Sequence, residues 1–505
     1  MKKILISLSV LVAVLASCTK DFVTVTHNSQ EPYSEYFINE SRAFEALVAA
    51  YGPLQWLDYF NQYTPLNMIS DIMADDMYKG GETLEADCVY LKNVHLYTLS
   101  PLEGQLPNMM WTTCYSGINR ACQVLENIND VPGMSEETKN LYQAEATVLK
   151  AFYYTLLWKF WGNIPYYDVN LTAPYITPQL KADEVYENIV SRLEEVIAAD
   201  LLPMKAAGGQ EGRVTKSMVY MLYAEVVMYQ NDEARYPTAL KYMEEIINSG
   251  TYSLVADFAS IWEEQGEWGP ESIWEINYTS VDGVRSWGNP LAAGGTVMPK
   301  FIGLNAFPDS DEYEFDPGWG FAPIPQHTYD MFDDADQRKN ASILNWNEYL
   351  KEHPNATYTP RAQDTGNFLR KYIARNNGNH GQKADADLNH HNNFRVYRYA
   401  ETLLNAAELA YLTGKDGSQY LQMVRDRAGC TDAGSDQEAI IAERRKEFVG
   451  EGKRYWDLVR TGMASTVLTA ANHEYRTKDW TPNLKYWPIP QPEIDKDPNL
   501  VQNNY

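Results

Sequence analysis

The residues 443-ERRKEFVGEGKRYWDLVRTG-462 gather arginines and lysines around Trp456 in a chain that is otherwise strongly acidic. Arg444, Arg445 and Arg454 have the chemistry to bind an anion, because guanidinium forks pair with carboxylate and phosphate oxygens. Their spacing points elsewhere. Ile441, Arg445 and Phe448 stand at i, i+4 and i+7, so Arg445 falls on the apolar stripe of a helix. A buried guanidinium is costly unless carboxylates or carbonyls meet it. Glu401 and Glu408, on the helix over 396–413, are the expected partners. Arg445 is therefore read as half of an internal ion pair, and ligand chemistry is sought in other residues.

Two further clusters offer ligand atoms. The run 309-DSDEYEFD-316 is dense in oxygens, and Asp309, Asp311 and Asp316 form a weak Ca²⁺ candidate. It lacks the Gly at position six and the Glu at position twelve of an EF-hand loop, so a solvated acidic loop is expected. In 380-HGQKADADLNHH-391, three histidines and two aspartates cluster without an HExxH motif or an i, i+4 His pair. Loop histidines are expected there, with no metal and no other cofactor. Glycoside hydrolysis needs two carboxylates held across a bond. Acidic residues abound, but no hydrolase motif, G-x-S-x-G elbow or phosphate loop is present. A non-enzymatic protein is expected.

Helical periodicity dominates the elements that position these residues. Helices are predicted over 41–58, 108–129, 136–160, 182–199, 215–230, 236–248, 396–413, 417–428 and 436–449. The last carries a capping box, Ser435 with Glu438, and stops at Gly450 and Gly452. Residues 215–230 and 236–250 read as a helical hairpin of tetratricopeptide type. Between 255 and 395, Gly, Pro, Asn and Asp are frequent, and the clear strand is 271-ESIWEINY-278. Irregular chain of that length usually carries function.

The 505 residues hold 42 basic and 68 acidic side chains, a formal charge of −26. Nucleic acid as a partner is excluded on that balance, because phosphate binding needs a basic stripe. Aromatic residues make up 13%, including 36 Tyr and 13 Trp, an unusual supply of flat amphipathic contact surface. Met1–Ser17 reads as a secretory signal with an apolar stretch too short to span a bilayer. The order 15-LASC-18 resembles the bacterial lipobox, which implies a lipid on Cys18 and attachment to a membrane surface. Residues 18–40 follow as a tether. Cys114 and Cys122 lie eight apart on one predicted helix, about 12 Å along its axis, too far for a disulfide. The remaining cysteines read as core packing.

Several segments resemble one family in its own order: 18-CTKDF-22, 144-AEATVLKAFYYTLLWKFWGNIP-165, 212-GRVTKSMVYMLYAEVVMY-229, 397-YRYAETLLNAAELAY-411, 424-VRDRAG-429, 443–462 and 487-WPIPQPEIDKDPNLVQNNY-505. They are similar to the SusD/RagB-like nutrient-binding outer-membrane lipoproteins. The resemblance implies a mostly α fold of tetratricopeptide-like helix pairs, scaffold 41–250 and 396–461, packed against a loop-rich half over about 255–395 within one domain, 41–505. It also implies surface exposure at the outer membrane, capture of an oligosaccharide or polysaccharide, and delivery to a SusC-like TonB-dependent barrel. Capture of a peptide or other nutrient is the alternative within the family. A helical-repeat module that binds only proteins is the alternative outside it.

Sugar rings offer apolar C–H faces and hydroxyl edges, so aromatics beside polar side chains in loops are the signature to seek. The resemblance directs attention to 70-SDIMADDMYKGG-81, with Asp75, Asp76 and Tyr78. It also points to the 264–325 loops, with Trp268, Trp287, Tyr313 and Trp319. Trp287 in 286-SWGNP-290 and Trp319 in 316-DPGWG-320 are the leading platform candidates, because core packing is hard to arrange among Gly and Pro.

Overall fold

A computed structural model describes residues 36–60, 63–83, 86–102, 106–376 and 378–505. The segment read as a secretory signal, and Cys18, lie outside the described residues. Helices build the first half: α1 (Glu40–Tyr51), α2 (Leu66–Met73), α3 (Val89–His95), α4 (Leu106–Asn127), α5 (Glu136–Trp161), α6 (Ala182–Ala199), α7 (Lys216–Gln230) and α8 (Tyr236–Asn248). After the loop-rich part come α9 (Tyr399–Leu412), α10 (Ser418–Ala428), α11 (Gln437–Glu447), α12 (Arg454–Arg460) and, near the C-terminus, α13 (Gln491–Lys496). Consecutive helices pack from α4 through α8, α8 packs on α9, and α9 on α10 and α11. This is the expected array of helix pairs.

The helix ends follow local chemistry. Ser135 accepts from the Thr138 amide at 3.1 Å to cap α5, whose first turn holds Glu136 and Glu137 against the positive end of the helix. Gly162, with φ of +66°, ends it. The sequence stripe on α5 understates its burial, because every residue from Ala144 to Trp161 is buried except Thr147, which is half-buried. Neighbours on both sides enclose the helix. Its lysines survive by pairing with carboxylates of neighbouring elements: Lys150 with Asp168 at 2.8 Å and Lys159 with Glu225 at 2.6 Å.

Three expected boundaries change. The helix over 41–58 tightens to a 3₁₀ turn over Gly52–Asp58, where Pro53 removes an amide donor. The cap of α11 is Asp436, whose carboxylate accepts from Ala439 N at 2.9 Å, in place of Ser435. The helix over 396–413 is preceded by a strand. The strands pair as β1 (Ile164–Pro165) with β2 (Gln179–Leu180), β3 (Ser272–Ile276) with β6 (Phe394–Arg398), and β4 (Ile343–Asn345) with β5 (Asn367–Leu369), all antiparallel. β3 is buried along its whole length, so the alternation read from its sequence does not divide a wet face from a dry one.

The opening motif lies inside this scaffold. Glu447 meets Arg398 at 3.0 Å and Arg427 at 2.6 Å, while Glu451 meets Arg398 and Lys371 at 2.8 and 2.7 Å. Burial raises the Glu447 carboxyl, but Arg427, Arg398 and Arg338 outweigh it and hold it well below the usual range. Arg444 pairs with Asp457 at 2.8 Å and reaches Glu401 at 3.5 Å, and Arg460 takes Glu408 at 2.6 Å. Glu401 and Glu408 are thus partners of neighbouring basic residues and not of Arg445. Arg445 crosses the molecule to Asp76 at 2.7 Å and Asp75 at 3.1 Å.

Candidate functional site

The loop 285–295 is anchored before it is exposed. Arg285 is buried and donates to both Asp58 oxygens at 2.9 Å, and to the Pro290 carbonyl at 2.8 Å. Burial alone would push this guanidinium down, but Asp58 more than offsets it. The next residues form a tight turn, with the Asn289 amide donating to the Ser286 carbonyl at 2.9 Å. Trp287 sits at the turn's tip and donates its own amide to Asp385 at 2.8 Å. With its backbone tied down on two sides, the indole remains 45% exposed.

Trp319 arrives from a different strand-like segment. Amides of Gly318, Trp319 and Gly320 donate to carbonyls of Leu304, Lys300 and Gly303 at 2.7, 2.9 and 2.8 Å. Gly318 and Gly303 touch backbone to backbone: a Cβ on Gly318 would lie 2.2 Å from the Gly303 Cα. Only glycine permits that approach. It sets Trp319 beside Trp287, ring centroids 6.0 Å apart and planes inclined at 34°.

Tyr63 completes the aromatic cluster, 4.8 Å from Trp319 and 5.9 Å from Trp287, edge-on to both. Its hydroxyl donates to Asp87 at 3.1 Å. Burial, with Cys88 and Asp87 beside it, keeps the phenol protonated far above the ordinary tyrosine range. Two carboxylates border the cluster: Asp385 accepts the Trp287 amide and Asp87 the Tyr63 hydroxyl. Two inclined indoles with carboxylates beside them can stack on apolar ring faces and hydrogen-bond hydroxyls. Tyr63, Arg285, Asp87 and Asp385 escaped the sequence reading. The aromatic spacing of 59-YFNQYTP-65 and the arginine preceding 286-SWGNP-290 were the available signals.

The other candidates lie elsewhere. Asp75 and Asp76 are buried, and the ligand role expected of them yields to ion pairing. Asp75 accepts from Arg454 at 2.9 Å, and Asp76 from Arg445 at 2.7 Å and Thr328 at 3.3 Å. Burial raises the Asp75 carboxyl, yet Arg445 and Arg454 hold it well below the usual range. Tyr78 is buried among His473 and Tyr475, its rings 5.1 and 4.8 Å from theirs. The segment they belong to backs the platform: Gly81 N donates to Gly320 O at 3.0 Å and Ala322 N to Lys79 O at 3.1 Å.

Tyr313 is buried in a small satellite core with Phe307, 5.1 Å away, Phe315 and Phe368. Trp268 is half-buried beside β3, its indole donating to Asn277 at 2.9 Å. Asp309, Asp311 and Asp316 do not bring their oxygens within one ion's reach. Among the described residues, the group that does is Cys430, Asp432 and Glu443. Its carboxylates already meet Arg338, Arg425 and Lys446 at 2.6, 3.0 and 2.6 Å.

Comparison with known proteins agrees with this architecture. The model of the SusD family matches residues 270–505, and a model described as "Starch-binding associating with outer membrane" matches residues 23–228. Surface glycan-binding protein A from Bacteroides thetaiotaomicron, solved in complex with laminarihexaose, is 45% identical, with a TM-score of 0.87, over 92% of this chain and 100% of that one. The protein of the same name from Bacteroides uniformis is 41% identical, with a TM-score of 0.83, over 92% and 100% of the two chains. A laminarin-binding SusD-like protein is 28% identical, with a TM-score of 0.82, over 92% and 99%. With its helix-pair scaffold, its loop-borne aromatics and relatives matched along nearly their full length, the chain belongs to the SusD family of glycan-binding proteins.

Proposed function

We propose that the protein captures a neutral oligosaccharide of the laminarihexaose kind on Tyr63, Trp287 and Trp319, without cleaving it. The carrying observation is the pair of indoles 6.0 Å apart and inclined at 34°, one of them 45% exposed on an anchored turn. A flat, ribbon-like chain would lie on coplanar rings; an inclined pair suits successive sugar units that turn relative to one another. The relatives solved with laminarihexaose or described as laminarin-binding support that ligand class. Asp87 and Asp385 would read hydroxyls at the platform's edge.

The cellular setting belongs to the same reading. The order 15-LASC-18 supports a lipid on Cys18. The family description supports association with the outer membrane. On this reading the protein is tethered at the cell surface and passes its ligand to a SusC-like TonB-dependent barrel. Affinity electrophoresis of the soluble form, starting after Cys18, in gels containing laminarin tests the ligand class. Retardation without release of reducing sugar is expected. Migration unchanged by laminarin, or steady release of reducing ends, would overturn the reading.

A further inference from the structure

A second concavity lies where α4, the β1–β2 connection and α13 meet. Its volume is about 570 Å³, inside the range of small-molecule sites. Trp111, Tyr115 and Asn119 recur every four residues along α4, so they line it from one helix face. The rings of Tyr115 and Tyr167 are nearly parallel, 21° apart with centroids at 6.1 Å. Tyr175 stands at the rim and is 70% exposed. Its turn is closed by its own amide, which donates to the Thr172 carbonyl at 2.7 Å. Its φ of +61° is a left-handed conformation that a tyrosine seldom adopts.

The walls are stitched together rather than merely adjacent. The Val501 amide donates to the Gln179 side-chain oxygen at 2.8 Å, and the Gln179 side-chain nitrogen donates to the Val501 carbonyl at 3.2 Å. Tyr115 donates to the Pro165 carbonyl at 2.7 Å, and the Gln491 amide to the Pro101 carbonyl at 3.1 Å. A groove built this way needs little ordering when a ligand arrives.

Its charge selects the ligand. Glu493 and Asp497 enter from α13 and its end, and Lys496 is already taken by Glu493 at 2.7 Å. Both carboxylates lie close enough to Tyr115 to add to the upward push that burial and Tyr167 give its phenol. Two carboxylates against one engaged lysine disfavour an anionic occupant and supply acceptors for hydroxyl donors. Aromatic faces beside carboxylate acceptors are also the combination at Trp287 and Trp319. We propose that this concavity is a second glycan-binding groove that takes another segment of the same neutral polysaccharide. A polymer held at the platform presents further identical units at high effective concentration, so even a weak second site strengthens retention.

This inference rests on the reading that the protein binds glycan, and one set of variants separates the two. Retardation in laminarin gels is compared for the wild type, Trp287→Ala/Trp319→Ala, Tyr175→Ala and the triple variant, with melting curves as a folding control. The double variant should keep a weak retardation that the triple variant loses. Tyr175→Ala alone should lower retention on the polymer severalfold while leaving the stronger phase of a laminarihexaose titration unchanged. A Tyr175→Ala protein retained like the wild type, or a double variant with no residual retardation, would overturn the second groove and leave the platform standing. Absence of retardation in the wild type would overturn both. A protein or lipid occupant would show as Tyr175 variants that alter no glycan signal, which also counts against the proposal.

Discussion

Trp287 and Trp319 have the same expected partner but different attachments, so their substitutions should differ. Trp287 projects from a turn, and its removal exposes little. Trp319 is half-buried and packs against the main core. Trp287→Ala should weaken laminari-oligosaccharide binding about tenfold, equivalent to a lost contact of about 1.4 kcal/mol, with the melting temperature unchanged. Trp319→Ala should weaken binding at least as much and lower the melting temperature as well. Arg445 is the opposite case. Arg445→Ala strands Asp76 in the interior and should cost roughly 3 kcal/mol in chemical denaturation, while residual folded protein keeps its affinity. Its partner lies 369 residues away in sequence. The i, i+4, i+7 pattern shows that Arg445 faces inward; no local spacing shows what waits there. For the same reason Asp75 and Asp76 looked like loop carboxylates open to a ligand.

At the level of elements, periodicity finds helices well and their surroundings poorly. The stripe on α5 locates the helix to within a residue of its end, yet its near-complete enclosure depends on α4, α6 and α7. The platform has the reverse history. Trp287 and Trp319 are legible as Gly- and Pro-flanked aromatics, but Tyr63 is brought to them by tertiary packing alone. Arg285 is the joint between scaffold and loop, because its fork holds Asp58 while gripping the Pro290 carbonyl. Lysine keeps the charge and loses the fork. Arg285→Lys should therefore retain the helical circular dichroism and lower glycan affinity, through a loop that no longer fixes Trp287. Loss of affinity without any change in susceptibility of loop 285–295 to protease would count against that positioning role.

Across the whole molecule, buried carboxylates set opposite pH responses. Asp75, Glu447 and Asp457 are depressed by arginines, so the stability they contribute is present at neutral pH and lost under acid. Glu267 is pushed up to about 7, chiefly by burial, with Arg395 opposing and Glu275 and Glu264 adding to the rise. Its folded form holds a proton that the unfolded chain releases near pH 4.3. Stability from this group is thus present at low pH and falls as pH rises from about 4.5 through 7, by at most about 3 kcal/mol. Glu267→Gln should flatten the decline in melting temperature between pH 5 and 8; an unchanged slope would assign the decline to other groups. The net charge of −26 fits a neutral ligand at the proposed aromatic platform.

Isothermal titration of the soluble protein with laminarihexaose tests whether the inclined indoles on their anchored loop hold the glycan. The wild type should give a saturable isotherm, and Trp287→Ala/Trp319→Ala should lose its stronger phase while melting as a folded protein. A folded double variant that binds laminarihexaose as tightly as the wild type would contradict that role.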